Sequence, residues 1–237
     1  MSRFAFQSSK ADTIADFQGL TRLFPLPNVV LFPGVLMPLH IFEPRYRQMV
    51  ADAMSSDRLI TMVLLEPGWE TDYEGSPAVY PIGCLGRIIH HEPLPDDRSN
   101  LVLHGLRRVR LDAEVPTGRL YRSAVSGILK EQDPPGGADS TKRCRAVVNE
   151  ALHDLLDSLG WAEEFRRNIS PDDLALGELC DLASHLVPLD VELKQKLLEE
   201  LDLGMRAAMV AAALMVEVRF TQLEKRTRRP PIDFSLN

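Results

Sequence analysis

Leu23-Phe24-Pro25-Leu26-Pro27-Asn28-Val29-Val30-Leu31-Phe32-Pro33-Gly34 sets the architecture of the first half of the chain. Together with Pro38 it places prolines at positions 25, 27, 33 and 38 among Leu, Val, Ile and Phe. That density removes too many backbone donors for a helix and suits short edge strands and turns, with the reversal at Pro33-Gly34. Just downstream, Glu43-Pro44-Arg45 starts a helix, since proline at the first helical position gives up no hydrogen bond. Tyr46, Met49, Val50 and Ala53 follow at helical spacing and form one apolar face.

Working outward, Leu59 to Leu65 is a compact apolar run between Asp57-Arg58 and Pro67-Gly68 and reads as a buried strand. Glu66 to Pro81 reads as a loop whose Trp69 and Tyr73 must either fold back onto the body or face a partner. Pro81–His91 and Leu101–Val115 read as a long hairpin turning around Pro95 to Asn100, and Leu120–Leu129 adds a strand. Asp133-Pro134-Pro135-Gly136-Gly137-Ala138-Asp139 then breaks regular structure. The organisation expected is a flexible leader over 1–20, a β-rich unit over 21–132, a linker over 133–141, a helical unit over 142–225 and a flexible tail over 226–237.

In the helical unit a first helix runs through Ala146, Val147, Leu152, Leu155, Leu156 and Leu159 to Gly160. Ser170-Pro171-Asp172-Asp173 has the composition of a second helix start, with a capping hydroxyl, proline in the first turn and acids at the positive end of the dipole. Its buried stripe continues through Leu176, Leu179, Leu182, Ala183 and Leu186. Asp190 caps a third helix, which Gly204 is expected to end. A last helix from Met205 to Lys225 is expected to turn Met205, Met209, Ala212, Ala213, Val216, Phe220 and Leu223 inward.

The 237 residues carry a net charge of -7, which argues against an extended nucleic-acid footprint. No apolar run reaches the length of a membrane span and the first residues lack a secretory signal, so a cytoplasmic protein is expected. The cysteines at 84, 144 and 180 are far apart and give neither a disulfide framework nor a metal-binding spacing. Nucleotide-binding glycine motifs, H-E-x-x-H and G-x-S-x-G are all missing, and no cofactor is expected. His90-His91-Glu92 is the one close cluster, but on a strand only His90 and Glu92 share a face, too few ligands for zinc. Leu106-Arg107-Arg108-Val109-Arg110 reads as a salt-bridged strand edge, with an RNA-binding stripe as the other possibility. His40 to Tyr46 reads as a strand-to-helix corner with Phe42 and Tyr46 in the core and Glu43 and Arg45 bonded to backbone and to each other.

Leu26 to Gly34, His40 to Tyr46, Gly83-Cys84-Leu85-Gly86-Arg87-Ile88 and Gly105 to Arg110, in that order, resemble the N-terminal substrate-binding domain of the ATP-dependent protease Lon. Leu186-Val187-Pro188-Leu189-Asp190 and Lys194 to Glu199 resemble its helical part, so the likeness covers about residues 20 to 225. The resemblance implies an α+β fold: a PUA-like β pseudo-barrel with one packed helix, then a C-terminal helical bundle ending in a long helix. The sequence looks like the stand-alone bacterial proteins that carry this domain by itself. In full-length Lon an ATPase and a Ser-Lys peptidase follow the last helix, whereas this sequence stops at Asn237, so no protease activity is expected.

What the resemblance implies for function is a non-catalytic module that binds unfolded or apolar protein segments, working with a separate ATPase or protease. The candidate surface comprises Trp69, Tyr73, Phe42, Tyr46, Arg87 and Arg108. Two alternatives come from other classes. One is RNA binding through the PUA-like barrel and Arg108 and Arg110; the other is an independent hydrolase assembled from Cys84, His90 and Glu92.

Overall fold

A computed structural model describes residues 5–8, 14–71, 73 and 75–227. The proline-rich opening forms β1 (Leu20–Leu26) and β2 (Leu36–Ile41), joined by a loop that buries Val30, Leu31 and Phe32. Next comes α1 (Pro44–Met54), with Pro44 in its first turn and Tyr46, Met49, Val50 and Ala53 buried, the face expected from spacing. All six residues of β3 (Leu59–Leu64) are buried, as a continuous apolar run requires. The hairpin of β4 (Ile82–Pro93) and β5 (Ser99–Glu114) turns where Asp96 and Asp97 hold φ of 61° and 56°, a left-handed conformation that Asp tolerates. β6 (Ser123–Ile128) completes six strands among the described residues.

The strands lie in the order β2-β5-β4-β3-β1-β6, and β6 returns to pair with β5. The 16-residue β5 makes this closure possible: Ser99–His104 pair with β2, and Val109–Glu114 pair with β6. Bulges between Leu85 and Gly86 and between Ile88 and His90 add the curl that such a turn in partnership needs. Among the described strands only β1 and β3 run parallel, which places α1 in the crossover between strands 1 and 3. β5 is therefore the most fully paired strand of the sheet, and the reading of Leu106 to Arg110 as a strand edge is corrected.

Gly105 is the tightest joint. A Cβ there would run into the Phe32 carbonyl, and its N–H donates to Val35 O at 2.9 Å while its own carbonyl accepts from Gly34 N at 2.8 Å. The β1–β2 loop thus crosses directly over β5.

The helices are α2 (Gly137–Leu159), α3 (Ala162–Asn168), α4 (Leu176–Leu186), α5 (Val191–Glu199) and α6 (Leu203–Thr227). Asp190 caps α5 by accepting from Glu192 N at 2.9 Å, as expected. The starts of α4 and α6 differ from the sequence reading. Ser170-Pro171-Asp172-Asp173 forms only a short 3-10 turn, and α4 starts later, where Glu178 reaches back to the Ala175 N–H at 2.9 Å. Gly204 lies in the first turn of α6 and does not end α5; Asp202 accepts from Gly204 N at 2.7 Å and Met205 N at 3.0 Å and so starts α6.

The buried side of α6 is Leu203, Arg206, Ala207, Val210, Ala211 and Leu214, whereas Met205, Val216, Phe220 and Leu223 are exposed. The expected inward face is corrected. Both faces of this helix are apolar, so periodicity could not choose between them.

One hydrophobic cluster runs from Phe24, Ile60 and Leu103 in the strands to Leu152, Leu198 and Leu214 in the helices. The expected linker region adds backbone links across the same boundary: Gln132 N donates to Leu201 O, and Leu203 N to Gln132 O, each at 2.9 Å. α2 begins at Gly137, inside the stretch read as linker. Of the expected leader, residues 5–8 lie against β2, with Leu36 N donating to Ala5 O at 2.9 Å. Ile14 and Phe17 pack on Leu59, Leu85, Leu106 and Val109. Residues 1–4, 9–13 and the tail from 228 onward lie outside the described residues.

Candidate functional site

At the start of α1, Glu43 accepts from Arg45 Nε at 2.9 Å and from the Tyr73 hydroxyl at 3.0 Å. The Arg45 guanidinium sits 4.8 Å from the Tyr46 ring and 4.9 Å from the Tyr73 ring. Tyr73 meets Trp69 edge-on at 5.5 Å. The two loop aromatics thus fold back and pin the 66–81 loop to α1; both are half-buried. Tyr46 is buried, packs edge-on against Phe24 at 4.5 Å and donates to Pro25 O at 3.1 Å. Burial raises its phenol pKa. Tyr46 is therefore a core residue that cannot present a binding surface, as a position on the inward face of α1 dictates. Phe42, expected in the core by the corner reading, is 60% exposed and stacks on His40 at 6.0 Å. Arg87 is half-buried and pairs with Asp16 at 3.4 Å.

Arg108 corrects the candidate list a second time. It is 3% exposed, and its guanidinium forks onto Asp181 at 2.9 and 2.5 Å, with Nε donating to Leu198 O at 2.7 Å. It also pairs with Glu131 at 3.2 Å, which in turn pairs with the fully buried Arg206 at 2.5 Å. Arg206 donates from Nε to Glu200 O at 2.8 Å. Two guanidiniums and two carboxylates thus join β5 to α4 and α6 with balanced charge, which is what makes burial of Arg108, Arg206 and Asp181 tolerable. Asp181, Glu131 and Arg206 were not singled out from sequence. The available signal was a lone charge on an apolar helix stripe: Asp181 between Cys180 and Leu182, and Arg206 between Leu203 and Ala207.

Above this network opens a cleft of about 750 Å³ between the strands and the helices. Pro33, Leu106, Ile128, Leu129, Leu176 and Leu203 supply its apolar wall. Arg107, Lys130, Arg145, Glu178 and Thr141 supply a polar rim, and Arg108 and Asp181 lie at its base. Gly177 belongs to the same wall, where any Cβ would press on the Glu131 carboxylate. Arg145 holds the carbonyls of Leu174 and Pro171 and so fixes the approach to α4. The volume falls within the range of pockets that take ligands, and an apolar wall with a few oriented polar groups is their usual composition. Trp69, Tyr73 and Phe42 do not line it.

The residues of the hydrolase reading are not brought together. Cys84 is fully buried and its thiol is pushed up to about 12, chiefly by burial, so it stays protonated. His90 and Glu92 are exposed at the other end of β4, six and eight positions along. At the usual strand rise His90 is about 20 Å from Cys84. The RNA reading loses Arg108 to the interior, and Arg110 pairs with Asp112 at 2.9 Å. Among the described residues, no helix is long and apolar enough to cross a membrane.

Comparison with known proteins gives one consistent result. The chain is 28% identical over 216 residues to the Lon protease of Xanthomonas oryzae, covering 87% of this chain and 24% of that protein. It is 24% identical over 214 residues to the Lon protease of Rhizobium meliloti, covering 87% and 25%. The chain thus spans about a quarter of the length of the curated relatives it matches. Among solved structures, the N-terminal domain of Mycobacterium avium complex Lon protease superposes with a TM-score of 0.64 at 15% identity, covering 82% of this chain and 97% of that one. A Lon N-terminal domain protein from Xanthomonas campestris gives 0.54 at 21% identity, covering 81% and 97%. The fold is that of these domains, and the model of the ATP-dependent protease La (LON) substrate-binding domain matches residues 21–215. This chain belongs to the LON substrate-binding domain family.

Proposed function

We propose that this protein is a non-catalytic, cytoplasmic recognition module that binds apolar segments of unfolded polypeptide in the cleft between its two halves. In this reading the closed strands with α1 form a PUA-like pseudo-barrel, and α2 to α6 form a helical bundle that completes the site. The observation that carries it is the cleft itself: an apolar wall of Leu106, Ile128, Leu129 and Leu176 under a rim of Arg107, Lys130 and Arg145. Apolar walls reward burial of side chains that a folded substrate keeps hidden, and Lys130 on the rim offers a donor to backbone carbonyls. Family membership in a substrate-binding domain supports the same reading. Unfolding or cleavage of the bound segment then falls to a separate ATPase or protease.

The test is titration of a fluorescently labelled apolar peptide and of a reduced, alkylated unfolded protein with the purified chain. Saturable binding is expected, and Ile128→Glu, at a half-exposed wall position, is expected to weaken it about tenfold, equivalent to about 1.4 kcal/mol. Absence of saturation up to about 500 μM, weaker than about -4.5 kcal/mol, rules the reading out.

A further inference from the structure

A second cavity, of about 860 Å³, shares no lining residue with the cleft. It is bounded by the start of β1, the α1–β3 turn, Arg87 of β4 and the loop before β6. Four guanidiniums line it, those of Arg22, Arg58, Arg87 and Arg119, against two carboxylates, Asp16 and Asp57. Such a concentration stands out in a chain of net charge -7. Hydroxyl groups of Ser56, Thr117, Tyr121 and Ser123 line the same space.

The arginines are not equally committed. Arg22 is locked into the turn, donating to Asp57 at 2.7 Å, Ser56 Oγ at 2.8 Å and Leu59 O at 3.0 Å, yet its Nε–H stays buried and unpaired. Arg87 pairs with Asp16 at 3.4 Å. Arg119, 51% exposed, pairs with Asp52 at 3.4 Å, a carboxylate that also accepts from the Tyr121 hydroxyl at 2.7 Å. Arg58 is exposed, and among the described residues its guanidinium makes no ion pair or side-chain hydrogen bond. Its backbone holds φ at 61°, a conformation in which a side chain is a steric cost and glycine or asparagine fits better. A long cation is thus placed, against local backbone preference, at the rim of a cavity already lined by three others.

We propose that this cavity binds a phosphoryl group. With Asp52 counted as the partner of Arg119, one positive charge is left over, and Arg58 at the rim carries it. A phosphate monoester brings close to two negative charges and three acceptor oxygens, where a carboxylate brings one charge and two oxygens. Guanidinium forks and hydroxyl donors are the groups that recognise such oxygens. An extended polyanion is disfavoured by the acidic remainder of the chain, so the group is a terminal one, carried by a small phosphorylated compound or by a phosphorylated side chain.

The experiment follows arginine Nε–H signals of the ¹⁵N-labelled full chain by NMR. Inorganic phosphate is titrated at constant ionic strength against chloride, then phenyl phosphate, then a phosphoserine peptide beside its unphosphorylated and aspartate-substituted twins. Saturable shifts of a subset of arginine signals are expected with phosphate. Arg58→Gly, which relieves the backbone and so keeps the turn, and Arg119→Gln, at an exposed position, are each expected to weaken binding about tenfold with the melting temperature held. Tighter binding of phenyl phosphate assigns the group to a small compound, and tighter binding of the phosphopeptide assigns it to a protein side chain; either upholds the site. Non-saturating shifts, wild-type affinity retained in both variants, or equal binding of the aspartate twin overturns it.

Discussion

Arg108 shows how a single residue can change meaning between sequence and structure. In a run of arginines on a strand it looks like surface charge, yet it spans the interior and forks onto Asp181 at 2.9 and 2.5 Å. Removing one partner from such a set leaves a buried charge uncompensated, which costs more than the intact pair contributes. Asp181→Ala is expected to lower the urea-unfolding free energy by about 3–5 kcal/mol, and Arg108→Ala by a similar amount; a change below 1 kcal/mol, roughly that of a surface pair, would show the network to be solvated. His185 offers a pH-dependent counterpart. Burial, then the neighbouring Lys194 charge, lowers its pKa from 6.5 to about 4. Between these values the unfolded chain holds a proton that the folded one lacks, so stability rises with pH through this window and is lost on acidification. From pH 7 to pH 5, above the ordinary carboxylate range, the wild type is expected to lose about 1–2 kcal/mol that His185→Gln retains, read from urea titrations at both pH values. The ion network was legible only as charges interrupting apolar stripes. The cleft above it was not legible at all, because its walls come from segments about 70 residues apart that only the closed sheet brings together.

Elements whose local pattern has one solution match the sequence reading, and those with two do not. α1 has a proline start and a single apolar face, and β3 is apolar throughout; both stand where spacing places them. α6 carries Leu203, Val210, Ala211 and Leu214 on one side and Met205, Val216, Phe220 and Leu223 on the other. Tertiary packing alone selects the first set, since Arg206 on that side must reach Glu131 and Asp181. The two faces differ sharply in consequence: Leu214→Ala is expected to cost about 2–4 kcal/mol through the cavity it leaves, whereas Phe220→Ser should change stability by less than about 0.5 kcal/mol. Equal effects in thermal or urea unfolding would mean that the helix buries both faces. The same reasoning applies to β5 at Gly105, where a methyl group has no room beside the Phe32 carbonyl. Gly105→Ala is expected to cost about 3 kcal/mol, with circular dichroism at the midpoint as readout. The glycine was visible in the sequence, but the loop crossing over it was not, because nothing local announces a contact spanning 73 residues.

For the whole molecule, the question is whether the two halves are one cooperative unit. The Asp-Pro-Pro-Gly-Gly stretch suggests a hinge between separable domains, and composition supports that expectation. The packing argues the other way. One apolar cluster spans both halves, the Arg108–Asp181 fork ties strands to helices, and Gln195 Nε2 donates to Ile82 O at 2.9 Å across the same boundary. Splitting the molecule would therefore expose a large apolar face and strand buried charges at once, which no locally stable half could offset. The two tryptophans make this testable, since Trp69 belongs to the strand half and Trp161 to the helical half. In Trp161→Phe, fluorescence reports only Trp69; in Trp69→Phe, only Trp161. With far-ultraviolet circular dichroism correcting for any stability change caused by the substitutions, the two unfolding curves are expected to coincide in midpoint and slope, the signature of a two-state transition. Separated transitions would instead show that the proline-glycine stretch is a true domain linker. The cleft between the halves would then open and close as they moved, and would not be a preformed binding site.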